Sequence, residues 1–147
     1  MVHLNDIKRA ITRLLSQAFP EFHIFSEDIS QVEAENGAAF PLLHVHLELQ
    51  GSELAMGADT KDRSILVDIT FMEATKSSSR SMYEVQEKLE QAIGTGFYCK
   101  NRYLHVETMN GSTADDLLHV TFPVMFNDAM PKTGENYQTF GELEIRI

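Results

Sequence analysis

The stretch that most constrains what this chain can fold into is Arg63 to Met72, reading Arg-Ser-Ile-Leu-Val-Asp-Ile-Thr-Phe-Met. Side chains along a strand alternate between two faces, so Ile65, Val67, Ile69 and Phe71 line one side while Leu66, Asp68, Thr70 and Met72 line the other. The first face is wholly apolar. The second mixes apolar with polar groups, the pattern of a strand with a packed core on one side and a wetter or partner-covered surface on the other. Such a strand belongs in the middle of a sheet, and its dry face needs a second layer to cover it.

Two helical patterns can supply that layer. Over Asn5 to Phe19, Ile7, Ala10, Ile11, Leu14, Leu15 and Ala18 fall on one stripe, with Asn5 as the expected N-cap, Asp6 suited to the helix dipole and Pro20 closing the segment. Over Met82 to Ile93 the stripe is Met82, Val85, Leu89, Ala92 and Ile93. Ser81 and Glu84 match a capping box there, and Gly94 is the expected stop.

A short strand is expected at Phe22–Phe25 and further strands at Leu42–Leu49 behind Pro41, Phe97–Cys99, Arg102–Met109 and Leu117–Phe126, with a turn at Asn110-Gly111-Ser112-Thr113 joining the last two, both long, as a hairpin or meander. Ser26–Ala39 reads as an irregular excursion. Gln50–Asp62 reads as the functional loop, because connections this long in compact domains usually bind something or lack order. Asn127–Gly141 reads as an extended arm, followed by Leu143, Ile145 and Ile147 alternating with Glu142, Glu144 and Arg146 as a last strand for this subunit or a neighbour. The order predicts an α+β domain over 1–126, with a mainly antiparallel sheet and both helices on one face, and a 127–147 extension packing on the domain or a neighbouring subunit.

At 147 residues the chain has room for one domain with a real core. Its net charge of −10, from 22 acidic and 12 basic residues, disfavours tight binding to phosphate backbones or anionic membranes. A single cysteine, Cys99, excludes an internal disulfide, and its Phe-Tyr-Cys setting suits a small buried hydrophobe better than a reactive thiol. The start Met-Val-His-Leu-Asn-Asp-Ile-Lys lacks a cationic segment leading into an apolar run. No apolar stretch is long enough to span a bilayer, so neither standard secretion nor membrane insertion is expected.

Catalytic templates are sparse. His44 and His46, two apart on one strand, point the same way and could share a metal, with His105 or His119 as a third ligand, but no HExxH-like frame or cysteine pair accompanies them. Asp68 reads as a paired structural acid rather than a general base. No dinucleotide fingerprint, phosphate loop or nucleophile elbow is present. Two other readings stay open: a small metal-binding protein or metalloenzyme using His44 and His46, and a monomeric adaptor that binds a peptide along a sheet edge.

Leu4-Asn5-Asp6-Ile7-Lys8-Arg9-Ala10-Ile11, the exit Ala18-Phe19-Pro20, Ile24–Glu27, Pro41 ahead of a strand, Val67-Asp68-Ile69-Thr70-Phe71 and Met82-Tyr83-Glu84-Val85-Gln86-Glu87-Lys88-Leu89 together resemble the tail terminator family of long-tailed bacteriophages and phage-like particles. The resemblance spans residues 4 to 126, and it is carried by the order of elements rather than by one diagnostic motif. The stretch Ile29–Phe40 and the arm after Phe126 depart from it.

That resemblance implies a structural virion protein without cofactor or turnover. It implies a homo-oligomeric, usually hexameric, ring that caps the tail tube protein, ends tube polymerisation and presents a surface to a head-completion or connector protein, with a sheath protein as a further neighbour in contractile tails. DNA would pass through without specific binding. The protein would reside in the virion tail and, during assembly, in the bacterial host cytoplasm. In such a ring the mixed strand face makes Leu66, Asp68, Thr70 and Met72 the expected subunit or tube interface, the acids of the long loop put Glu53, Asp59 and Asp62 at the lumen or tube, and the alternating end puts Leu143, Ile145 and Ile147 in an inter-subunit arm; the resemblance itself supplies no residues for the arm.

Overall fold

A computed structural model of the chain describes residues 1–26, 40–55, 59–73, 79–115 and 117–130. In chain order the elements are α1 (Leu4–Ala18), β1 (His23–Phe25), β2 (Leu42–Leu54), β3 (Thr60–Met72), α2 (Ser79–Ile93), β4 (Gly96–Cys99), β5 (Arg102–His105), β6 (Asn110–Ala114) and β7 (Leu117–Ala129). Among the described residues five strands form one sheet in the order β1-β2-β3-β7-β6, while β4 and β5 form a separate hairpin. The β1–β2 pair is parallel, and β2–β3, β3–β7 and β6–β7 are antiparallel. The fold is α+β, and β3 is the central strand.

The dry face of β3 behaves as its alternation requires. Ile65, Val67, Ile69 and Phe71 are at most 2% exposed. Leu43 and Val45 of β2 flank them on one side, and Leu118, Val120, Phe122 and Val124 of β7 on the other. Ile7, Ile11 and Leu15 of α1, Met82, Val85, Leu89 and Ile93 of α2, and Phe97, Cys99 and Leu104 of the small hairpin complete the same cluster. One sheet face therefore carries both helices and the hairpin, and hydrophobic burial there is the main driving force for folding. Cys99 is buried within it, and desolvation pushes its thiol pKa up, which disfavours the reactive thiolate.

Local signals place the helix ends with two shifts from expectation. The N-cap of α1 is His3 rather than Asn5, because Asp6 sits where its carboxylate can accept from the His3 N–H, at 2.9 Å. The hydrogen bond from the His3 backbone, followed by Lys100 with Nζ at 3.1 Å, holds the Asp6 carboxyl below its ordinary value of 3.8. A carboxyl depressed in the folded state stabilises at pH above its unfolded value, and that contribution is lost as pH falls through the native value. Asp6→Asn is therefore expected to be less stable than the parent protein at neutral pH and equally stable well below pH 3.8; urea denaturation at both pH values measures this.

Helix α2 begins at Ser79, so Ser81 lies in the helix rather than at its cap, and Glu84 pairs one turn back with Arg80 at 3.2 Å. The position before Ser79 lies outside the described residues. Gly94 ends the helix as expected, at φ +59° with its N–H on the Glu90 carbonyl at 2.9 Å. At Gly96 (φ +154°) a Cβ would run into the Leu104 carbonyl and the Tyr103 ring, so glycine lets β4 lie against β5.

Three strand expectations are corrected. Gln50–Asp62 is not a loop: β2 and β3 stay paired out to Leu54↔Lys61, and a bulge between Leu49 and Gly51 absorbs the odd residue. Asn110–Thr113 is not a turn but the exposed strand β6, and the chain reverses between Ala114 and Leu117, with Asp115 at φ +52°. Arg102–Met109 is not the partner of β7; its first part pairs with β4 across Lys100–Asn101. Strand β7 also runs past Phe126 to Ala129, so the sheet crosses the expected 126/127 boundary. The excursion expected at Ser26–Ala39 falls, beyond Ser26, on residues outside those described up to Phe40, and the arm beyond Met130 lies outside them altogether, with Leu143, Ile145 and Ile147.

Candidate interaction surfaces

Alternation along β2, β3 and β7 puts a second set of side chains on the face away from the helices, in cross-strand rows. One row is His44, Thr70 and His119; the next is His46, Asp68 and Thr121; a third is Glu48, Leu66 and Pro123. Pro123 is accommodated in β7 because β6 pairs no further than Thr121, so among the described residues no strand on that side faces its missing N–H.

The four β3 residues expected at an interface divide on this face. Leu66 and Asp68 are half-buried. Thr70 and Met72 are already covered within the subunit, at 5% and 7% exposure. Met72 packs with Leu42 in a small cluster joined by Phe25, Phe40 and Leu117, because the face turns apolar toward that end of the sheet. Thr70 is held by His119, with Oγ1 3.1 Å from Nδ1, and Asp68 Oδ1 lies 3.4 Å from the same nitrogen. Asp68 is thus the paired acid anticipated. Within the subunit, then, neither Thr70 nor Met72 is exposed on this face.

The candidate metal ligands have other neighbours. His46 is exposed and contacts Glu48 at 3.4 Å, while His119 is turned to Asp68 and Thr70. His105 belongs to the separate hairpin and packs against the Tyr103 ring. Among the described residues no three His, Cys, Asp or Glu side chains come together to hold a metal.

Beyond the helical layer β2, β3 and β7 continue as a three-stranded ribbon. Glu53 and Asp62 sit directly opposite each other on it, both exposed, and Asn127 relieves Asp62 by donating to its Oδ1 at 3.0 Å. Asp59 is exposed at the ribbon end. A groove of about 490 Å³ runs here between Glu53, Asp62, Ser64, Met125 and Asn127. Leu49, Leu54 and Met125 are 48%, 67% and 61% exposed, so this end presents apolar side chains beside acids. The expected acids therefore share one region, with Glu53 and Asp62 on a paired ladder instead of a loop and Asp59 just ahead of it.

A buried polar clasp was not anticipated. Asp128 is 4% exposed and accepts from the Val2 N–H at 2.7 Å. Arg63, 5% exposed, donates to the Val2 carbonyl and lies 3.4 Å from Asp128. Arg102 reaches the other carboxylate oxygen at 3.5 Å and donates to the Asn127 carbonyl. The Phe126 ring is shared by both guanidiniums, at 5.5 Å and 5.1 Å. Arg63 continues the inward series Ile65, Val67 and Ile69, and Asp128 continues Val124 and Phe126. The same period therefore carries the signal, as two opposite charges at the ends of adjacent dry stripes.

These features define an α+β domain in which the buried Arg63 and Asp128 are paired for structure, with exposed and half-buried side chains on an open sheet face and a projecting ribbon. No helix among the described residues is long and apolar enough to cross a membrane. The family described as "Phage tail terminator protein" matches residues 6–136, and the chain belongs to that family. The family is one of structural tail proteins, not of enzymes, and it makes this chain a tail-associated component of a phage virion. The comparison with curated proteins gives no match. One solved structure, of a protein whose name states no function, is 14% identical, spans 88% of this chain and 97% of its own, and superposes with a TM-score of 0.43, a likeness too slight to carry an argument.

Proposed function

We propose that this protein closes the tail tube as a ring, ends tube polymerisation and offers the joining surface for a head-completion or connector protein. The observation that carries this reading is the family match over residues 6–136, which takes in α1 from Asp6 onward, all of α2 and strands β1 to β7. A closed ring requires two different complementary surfaces on each subunit, because its contacts are head-to-tail. The half-buried Leu66 and Asp68 on the open sheet face are one candidate, and the ribbon end with Leu54 and Met125 is the other. Glu53, Asp59 and Asp62 would face the DNA path, where like charge keeps phosphates from adhering.

Host lysates making all tail components except this protein are expected to contain tubes of uncontrolled length, and adding it back restores one length by electron microscopy. The capped tubes should carry a terminal ring near six times the 16.6 kDa chain mass. Tubes of normal length in its absence would overturn the proposal.

A further inference from the structure

The two helices carry charge of opposite sign on their outer sides. Between α1 and β4 runs a groove of about 440 Å³, lined by Leu14 and Phe97 and by three cations, Arg9, Arg13 and Lys100, against one acid, Asp6. Asp6 is engaged by the His3 N–H, Lys100 and Arg9, and among the described residues Arg13 has no ion-pair partner. In a chain of net charge −10 this is a local excess of positive charge. Tyr98 lines the same groove, 72% exposed yet held in place. Its ring meets the Tyr103 ring edge-on at 4.9 Å, and the Tyr103 hydroxyl lies 2.8 Å from Thr95 Oγ1. A large ring already ordered in solvent suits a protein contact, because it has little rotamer freedom left to lose on binding.

A second groove, of about 340 Å³, is lined by Tyr83, Gln86, Glu87 and Glu90 of α2 and by Met109. It shares no residue with the first. Glu84 pairs with Arg80 and Lys88 lies over the Phe19 ring, so among the described residues Glu87 and Glu90 have no ion-pair partner. Tyr83 stands beside them, 63% exposed.

We propose that the α1–β4 groove of one copy receives the Tyr83, Glu87 and Glu90 face of α2 from a second copy. Arg9 and Arg13 are one turn apart on α1, and Glu87 and Glu90 one turn apart on α2, so both pairs are spaced by about 5–6 Å at Cβ. Each pair repels itself when alone and is neutralised by the other. Exposed ion pairs add little affinity by themselves. The tyrosines and the apolar lining supply the buried area, while the charges choose the partner and the register. A row of phosphates is a poorer match, because duplex DNA calls for an extended track of cations and this groove has three. The two faces lie on different helices, so the contact is head-to-tail and can repeat around a closed ring. The inference rests on the ring reading above and adds a helix-side contact to the surfaces named there.

Arg13→Glu and Glu87→Arg, made as separate full-length proteins, test it by thermal unfolding and by counting ring-capped tubes in the electron microscope. Both residues are exposed, so both variants should unfold within a few degrees of the parent. Each alone is expected to cap about tenfold fewer tubes, because like charges then meet at every contact. An equimolar mixture of the two should restore capping, since alternating copies again oppose unlike charges. One protein carrying both substitutions should do the same. Restoration by mixing can only come from a contact between chains. Parental capping by both single variants would overturn the proposal, as would a loss that neither the mixture nor the double variant restores. If the parent itself leaves no terminal ring, the ring reading fails with it, whereas parental rings with unaffected single variants sink only this contact. Binding of a DNA duplex at physiological salt that Arg13→Glu abolishes would assign the groove to nucleic acid and overturn the proposal as well.

Discussion

Asp128→Ala is expected to destabilise the monomer by about 3–5 kcal/mol, the usual result of removing one partner from a buried ion pair. The carboxylate accepts from Val2 N–H and stands between Arg63 and Arg102; without it the 5%-exposed Arg63 guanidinium loses its carboxylate partner. The loss should appear as a lower urea midpoint with little change in slope, since the same core unfolds in both proteins. Arg102→Ala removes the more exposed cation and should cost less, about 1 kcal/mol, because solvent screens that pair. A double variant Arg63→Met with Asp128→Leu tests the cause. If the penalty comes from stranding a charge, replacing both partners recovers most of the stability. Equal losses in the single and double variants would locate the effect in the backbone hydrogen bond to Val2.

Charging the two faces of β3 should give opposite phenotypes. Ile69 is fully buried between Val45 and Val120, so Ile69→Asp places an unpaired carboxylate in the core and is expected to cost more than 4 kcal/mol, enough to unfold a marginally stable domain. Leu66 is half-buried on the open face, in the row between Glu48 and Pro123. Leu66→Asp should leave thermal unfolding within a few degrees of the parent and impair assembly, read by circular dichroism and by counting capped tubes. Met72, expected from its alternation to behave like Leu66, should instead destabilise the fold when charged, because it is packed against Leu42. Capped tubes at normal frequency with Leu66→Asp would remove the open face from the interface.

Period-2 and period-3.6 patterns marked the parts of the fold that are decided locally. The inward residues of β3, the stripes of both helices and the glycine stop at Gly94 all stand where those periods put them. The errors fall where a local signal competed with a distant partner. Asn110-Gly111-Ser112-Thr113 has turn chemistry, yet it is a strand because β7 offers it a ladder, and Arg102–His105 is drawn to β4 by a two-residue reversal. The ribbon beyond Leu49 carries Gly51, Ser52 and Glu53, polar enough to read as a loop, and is ordered by antiparallel pairing with β3.

For the interaction surfaces the division is similar. Alternation along Arg63–Met72 was sufficient to separate a core face from an open one, because side-chain direction in a strand depends only on residue parity. It was also sufficient to place Asp68 among polar partners and, through the order of elements, to reach the family. Only the tertiary structure decided that Thr70 and Met72 are covered while Leu66 is half-exposed, and that Arg63 and Asp128 meet across 65 residues to hold the N-terminal segment. Those outcomes depend on which strands become neighbours and in what register, and that is set by the packing of the whole sheet under its helices rather than by any one stretch of chain.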